Sequence, residues 1–168
     1  MSTVPEAHRA EAGRTPLSCA VLTCSDTRTT ESDTSGQLMC SMLEAAGHRV
    51  TVYDIVREGP GAVSEALSGV ALECDAILLN GGTGIAPRDG TIEAVDQFVQ
   101  RSLPGFGELF RMLSWQEIGA AAMLSRATAG TRGRTVVFAT PGSTAAVRLA
   151  MEKLIIPDLR HIHGQLNR

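Results

Sequence analysis

Aromatic residues are scarce in this chain, with one Trp, one Tyr and four Phe in 168 residues. Runs of Lys and Arg are missing as well. Fifteen basic side chains stand against 18 acidic ones, for a formal net charge of −3. A protein whose main partner is nucleic acid carries a basic stripe or patch, so that class is excluded. No segment approaches the ~20 apolar residues that a membrane span needs, which excludes a membrane protein of that kind. The polar stretch from Met1 to Pro16 holds no apolar core of a signal peptide, so the expected location is cytoplasmic. The four cysteines (Cys19, Cys24, Cys40 and Cys74) form no C-x-x-C pair and sit in or beside apolar runs. They read as buried thiols, and zinc-ligand spacing is absent. His161 and His163 are a weak metal pair near the C-terminus. Two phosphate signatures are missing too. There is no G-x-x-x-x-G-K-[ST], and Gly82-Thr-Gly84 is followed by Ile-Ala-Pro rather than a glycine in register, so a P-loop and a dinucleotide fingerprint are both excluded.

What is present is the composition of one globular domain. Hydrophobic residues make up 43%, and a chain of this length buries about 70% of its unfolded surface. A tail over residues 1–15 followed by a single domain over 16–168 is expected. Three apolar runs without alternation, Cys19–Leu22, Ala76–Leu79 and Val136–Ala139, suit strands buried on both faces. A fourth strand, Arg49 to Ile55, alternates and should be less buried. Helical patterns lie between them. Leu38, Met42, Leu43 and Ala46 share a face, with Thr34 or Ser35 as cap and Gly47 as stop. Further helices are predicted from Gly61 to Glu73, from Thr91 to Phe98, within Gly107–Met123, and from Ser143 to Ile155, the last ending before Pro157. Thr128 to Arg134 reads as a hairpin turn. Strand-helix alternation with short connections predicts an α/β fold. The expected architecture is a single doubly wound, mostly parallel sheet with helices on both faces, and ligands bound at the strands' carboxyl ends.

The most informative segment is Asn80-Gly-Gly-Thr-Gly-Ile-Ala-Pro-Arg-Asp-Gly-Thr91. An apolar strand ends in three glycines within four residues, and a helix starts soon afterwards. Glycines let backbone N–H groups approach an anion, and a helix N-terminus adds its positive end. Arg88 offers a forked donor to phosphate and Asp89 a carboxylate. The other strand ends add Ser25-Asp26-Thr27, Asp33-Thr-Ser-Gly36, Asp54 and Pro141-Gly-Ser-Thr144. Asp33 is most simply a cap. Asp54 is harder to explain within a strand unless it faces a polar site. Carboxylates gathered beside anion-binding turns repel unless a cation lies between them. Together they point to a nucleotide polyphosphate with Mg2+.

The ordered set Ser25-Asp26, Asp33-Thr-Ser-Gly36, Gly81-Gly-Thr-Gly84, Arg88-Asp89, Pro104-Gly-Phe-Gly-Glu108, Arg111-Met-Leu-Ser114, Leu124-Ser-Arg-Ala127 and Pro141-Gly-Ser-Thr144 resembles the MogA/MoaB family of molybdenum cofactor biosynthesis. The resemblance runs from about Leu17 to Ile156, and Pro-Gly-Ser-Thr looks more like the MoaB branch. It implies a homotrimer that uses Mg2+ and ATP to adenylylate molybdopterin. By motif, Asp54 and Asp89 match the catalytic, Mg-ATP-handling aspartates. Gly81, Gly82, Thr83 and Gly84 would lie along the phosphates, with Arg88 beside them. Ser114 and the turn of Pro141, Gly142, Ser143 and Thr144 match the region that grips the pterin and its phosphate, and Asp26 belongs to the same pocket. The alternative is a trimer on the same pathway that binds pterin or nucleotide without catalysis.

Overall fold

The structure, a computed structural model, describes residues 15–70 and 74–168. The tail expected over residues 1–15 therefore lies, up to residue 14, outside the described residues.

Six strands form one sheet: β1 (Ser18–Cys24), β2 (Arg49–Val56), β3 (Ala76–Asn80), β4 (Arg101–Ser102), β5 (Thr128–Arg132) and β6 (Thr135–Thr140). Their order is β2-β1-β3-β6-β5-β4. The first four in that order run parallel, and β5 and then β4 join at one side through antiparallel pairings. The three continuous apolar runs became β1, β3 and β6, which are buried throughout apart from Ser18. The alternating segment became β2 at the sheet edge, where Val56 alone is buried.

The helices are α1 (Thr34–Ala45), α2 (Pro60–Val70), α3 (Thr91–Phe98), α4 (Pro104–Ile118), α5 (Thr144–Ala150) and α6 (Ile156–Leu166). Successive strand side chains point to opposite faces, so the strands serve two cores. Val21, Leu78, Val136 and Phe138 meet Met39 and Leu43 of α1, Phe106 and Phe110 of α4, and Val147, Met151, Ile155 and Leu159. On the other face Ala20, Leu22, Ile77, Leu79 and Val137 meet Val63 and Leu67 of α2 and Ile92, Val95 and Phe98 of α3. This is the expected doubly wound arrangement. The register aligns the ends of the central strands, since Thr23 lies beside Asn80 and Asn80 beside Thr140. A level rim results, and it positions the site.

Several boundaries differ from the sequence reading. The cap of α1 is Asp33, as the simplest reading of that residue had it, rather than Thr34 or Ser35, and its side chain accepts from the Gly36 N–H. The inward residues of that helix are Met39 and Leu43, while Leu38 and Met42 are only partly buried. The predicted end of α2 at Glu73 lies outside the described residues. Residues 128–132, read as a turn, are strand β5, and the turn shrinks to Gly133-Arg134. The helix from Thr144 does not stop before Pro157. A π-turn over Met151–Ile155 widens it, with the Ile156 N–H donating to the Met151 carbonyl. Pro157 then occupies the first turn of α6, where a missing N–H is tolerated. His161 and His163 consequently sit on a helix, and His163 Nε2 lies 3.1 Å from Asp75 Oδ1. Among the described residues no helix is long and apolar enough to cross a membrane, and none of the four cysteines is in a disulfide.

Candidate functional site

Three neighbouring strands end in a row of buried polar side chains: Thr23, Asn80 and Thr140. Such groups need partners once removed from water. Asn80 Nδ2 donates to Thr23 Oγ1 at 2.8 Å, the Ser35 hydroxyl shares its one proton between Asn80 Oδ1 (2.8 Å) and Asp33 Oδ1, and Thr140 Oγ1 donates to the Leu79 carbonyl at 3.3 Å. Thr23 Oγ1 in turn donates to Asp33 Oδ2 at 2.5 Å. Asp33 is fully buried and collects four further donors: the Tyr53 hydroxyl (2.8 Å), the Gly36 N–H and Ser35 hydroxyl (both 3.0 Å) and Arg28 (3.1 Å). Burial alone would raise its pKa, but the hydrogen bonds from Thr23, Gly36, Tyr53 and Ser35 outweigh it and hold the carboxyl below its ordinary range. For Tyr53, burial and the adjacent Asp33 push the phenol well above its usual value.

On this floor stands the glycine turn. Gly81 and Gly82 have φ of 88° and 60°, a region that side chains rarely adopt. The turn is pinned by Gly81 N–H to the Thr140 carbonyl (3.1 Å), and by the Thr91 hydroxyl and N–H to the carbonyls of Gly81 (2.8 Å) and Gly82 (3.0 Å). Gly84 leaves room for Asp89, because a Cβ there would stand 2.5 Å from Asp89 Oδ2. That oxygen also accepts from the Ala86 N–H at 2.9 Å. The turn after β6 closes against the first, for a Cβ on Gly142 would lie 2.9 Å from the Gly81 Cα.

Between the turns opens a cleft of about 470 Å3, within the span of small-molecule sites, roughly 300–1,000 Å3. Of the residues expected from sequence, Gly81, Gly82, Thr83, Gly84, Asp89, Pro141 and Gly142 line it. Ser114 and Ser143 line a smaller adjoining cavity of about 100 Å3, which shares Ser125 and Pro141 with the cleft. Ser143 also caps α5, accepting from the Ala146 N–H at 3.2 Å. Thr144 lines neither cavity; its hydroxyl lies 3.3 Å from that of Thr34.

Three charged candidates stand elsewhere. Arg88 is 71% exposed and pairs with Glu58 at 3.0 Å. Asp26 is exposed and accepts from the Glu58 N–H at 3.1 Å. Asp54 is exposed on β2, with its carboxylate accepting from the next residue's N–H at 2.8 Å. The expected meeting of Asp26, Asp54 and Asp89 around one pocket is therefore not what the structure has. Asp54 precedes the end of an edge strand, so Glu58, beyond that end, is the acidic residue from this side that reaches the cleft.

Sequence reasoning missed Arg28 and Glu58, while Ser25 and Thr27 from the end of β1 and Ser125 from the Leu124-Ser-Arg-Ala127 motif line the cleft beside them. Arg28 sits two residues past Asp26 and was open to notice, whereas nothing local marks Glu58. Cys24 lines the cleft as well, and burial pushes its thiol up to about 11, against a lowering hydrogen bond from Thr91, so it is no nucleophile at neutral pH. As for a metal, no three His, Cys, Asp or Glu side chains cluster among the described residues. Of the two expected metal-handling aspartates, Asp89 lines the cleft and Asp54 does not. The donor set suits an ion that takes one or two carboxylates and completes its shell with ligand phosphates and water, as Mg2+ does.

Similarity to known proteins agrees with this arrangement. Residues 20–161 match the family described as a probable molybdopterin binding domain. The chain is 54% identical over 153 residues to molybdenum cofactor biosynthesis protein B of Bacillus subtilis (strain 168), covering 89% of this chain and 90% of that one. A crystal structure of a molybdenum cofactor biosynthesis protein B superposes with a TM-score of 0.90 at 51% identity, over 93% of this chain and 99% of the other. The molybdopterin biosynthesis enzyme MoaB of Thermus thermophilus gives 0.79 at 34% identity, over 89% and 96%. The chain belongs to the MogA/MoaB molybdopterin-binding family of molybdenum cofactor biosynthesis, on its MoaB branch.

Proposed function

We propose that this protein transfers the adenylyl group of ATP to the phosphate of molybdopterin. In that reaction a phosphate oxygen of the pterin attacks the α-phosphorus. The bond from that phosphorus to the bridging oxygen breaks, and pyrophosphate leaves with the electron pair. The observation that carries the reading is the convergence of Gly81–Gly84, Asp89, Arg28 and the Pro141-Gly142 turn on one cleft. Phosphoryl chemistry of this type asks a protein for positioning and charge neutralisation more than for a nucleophile. The pinned glycine turn supplies a rigid backbone surface for phosphates, and the adjoining cavity with Ser114 and Ser143 offers hydroxyls to the second substrate. A divalent cation bound with the phosphates would be held by Asp89 and would neutralise charge on the departing pyrophosphate.

The test is pyrophosphate release from ATP that depends on molybdopterin, in wild type and in Asp89→Asn. The expected result is release in the wild type and a loss of about a hundredfold or more in the variant. Molybdopterin binding without release would instead support a non-catalytic carrier, a reading favoured by the position of Asp54 away from the cleft. We also propose that copies associate, as a homotrimer, through exposed apolar side chains such as Met112, Trp115, Ile118 and Met123.

A further inference from the structure

We propose that Arg28 is the cation that grips ligand phosphate in the cleft, in place of the more conspicuous Arg88. Arg88 points its guanidinium at Glu58 and is largely in solvent, where an ion pair contributes little to binding. Arg28 lines the cleft and is only 31% exposed. Its position is fixed from three directions. One terminal nitrogen donates to Asp33 Oδ1 at 3.1 Å and to the Ser35 hydroxyl, and the other donates to the Gly142 carbonyl at 2.9 Å. The backbone beneath is held too, with the Arg28 N–H donating to Ser25 Oγ at 3.2 Å. A guanidinium has five N–H donors in a rigid fork, so these contacts leave donors for a ligand.

The arrangement carries two consequences. First, the buried Asp33 offsets the charge of Arg28, so the cation can stand against the glycine turn in the absence of ligand. Its own rigidity comes from Thr23, Tyr53, Gly36 and Ser35, none of which lines the cleft. Second, Arg28 ties the turn after β1 to the turn after β6, across the mouth of β3. A phosphate lying along Gly81–Gly84 then meets a fork whose direction is already set, which is the condition for bidentate recognition. A lysine keeps the charge but has neither the fork nor the reach to hold Gly142 and a phosphate together.

This rests on the reading of the cleft as a phosphate site, and one titration series separates the two. Binding of inorganic pyrophosphate is measured by calorimetry, together with melting temperature, for wild type, Arg28→Lys, Arg28→Gln, Arg88→Ala and Tyr53→Phe. Wild type should bind. Arg28→Lys and Arg28→Gln should weaken binding roughly ten- to a hundredfold, the scale of a charge-assisted contact. Tyr53→Phe loosens Asp33 without touching Arg28, and should melt earlier while binding within about twofold of wild type. If Arg28→Lys and Arg28→Gln bind like wild type, or if Arg88→Ala alone loses binding, Arg28 is a structural strut and the assignment falls. Equal losses in Tyr53→Phe and Arg28→Lys would also overturn it, because general loosening would then explain both. Failure of the wild type to bind pyrophosphate would overturn the phosphate reading of the cleft itself, and this assignment with it.

Discussion

Replacing Asp33 should damage the fold far more than a surface aspartate would, and by an amount that depends on the replacement. Asp33→Ala leaves the donors from Thr23, Tyr53, Ser35 and Gly36 facing a void, and leaves Arg28 without its counter-charge. Breaking a buried pair from one side costs about 3–5 kcal/mol. With Arg28 partly in solvent, the lower half of that range, about 3–4 kcal/mol, applies. Asp33→Asn is milder. An amide oxygen in the Oδ1 position keeps Gly36, Ser35 and Arg28. Its NH2 then faces the Thr23 and Tyr53 hydroxyls, which can turn to accept, so a loss of about 1–2 kcal/mol is expected. Each kcal/mol moves the melting temperature of a domain this size by about 2–4 °C. Urea unfolding followed by circular dichroism gives the free energies directly. The pH dependence adds a sign. Since the folded carboxyl is held below its ordinary value, its contribution is complete above about pH 4 and is lost as pH falls through the depressed value. The gap between wild type and Asp33→Asn should be flat from pH 7 to about 5 and shrink below about 4. An alanine variant within about 1 kcal/mol of wild type would refute the view of Asp33 as the hub of the site's floor.

Three further outcomes follow from other residues. Gly84→Ala should displace the Asp89 carboxylate, because the new methyl would sit 2.5 Å from Oδ2; molybdopterin-dependent pyrophosphate release should fall at least about tenfold while melting changes by only a few degrees. His48 is buried, accepts from the Leu17 N–H at 3.2 Å, and has its pKa lowered by burial and then by the Arg160 charge. Its contribution is therefore present above about pH 6.5 and lost as pH falls, and the stability difference between wild type and His48→Asn, read by urea midpoints from pH 8 to 5, should narrow across that interval. Phe110→Ala empties a fully buried position stacked on Phe106 at 6.4 Å and should cost about 3–5 kcal/mol in the same unfolding assay.

The sheet was legible because parallel strands buried on both faces leave unbroken apolar runs, as in Cys19–Leu22 and Val136–Ala139. The glycine turn was legible for a similarly local reason. Residues 128–132 were not, because β5 reads TAGTR, and Thr, Gly and Arg signal a turn unless a neighbour pairs with them; the pairing with β6 overrides composition. Helix α6 was hidden by Pro157, since nothing in the sequence announces a π-turn that moves the proline to a harmless position. At the site, position along a strand was easier to read than direction. Asp54 lies near the end of the alternating segment and Glu58 just past it, but only the three-dimensional end of β2 decides which one faces the cleft. Arg28 and Arg88 were equal as residue types, and the buried Asp33 that singles out the first was read as a simple cap.

Strand β2 stands at the border of the sheet, eight residues long and, among the described residues, without a strand on its outer side. A border of that kind is a template on which another chain can lay a strand. The side chain of Asp54 occupies the Ile55 N–H, one of the donors such an invader would use, and the charge it holds there repels an apolar segment. Arg49 and Thr51, both exposed, keep the rest of the rim polar. A carboxylate that looked out of place within a strand is thus well suited to guarding a seam. Its removal in Asp54→Val would leave each molecule an open margin for adding the next, so the fold would survive dilution and fail with concentration.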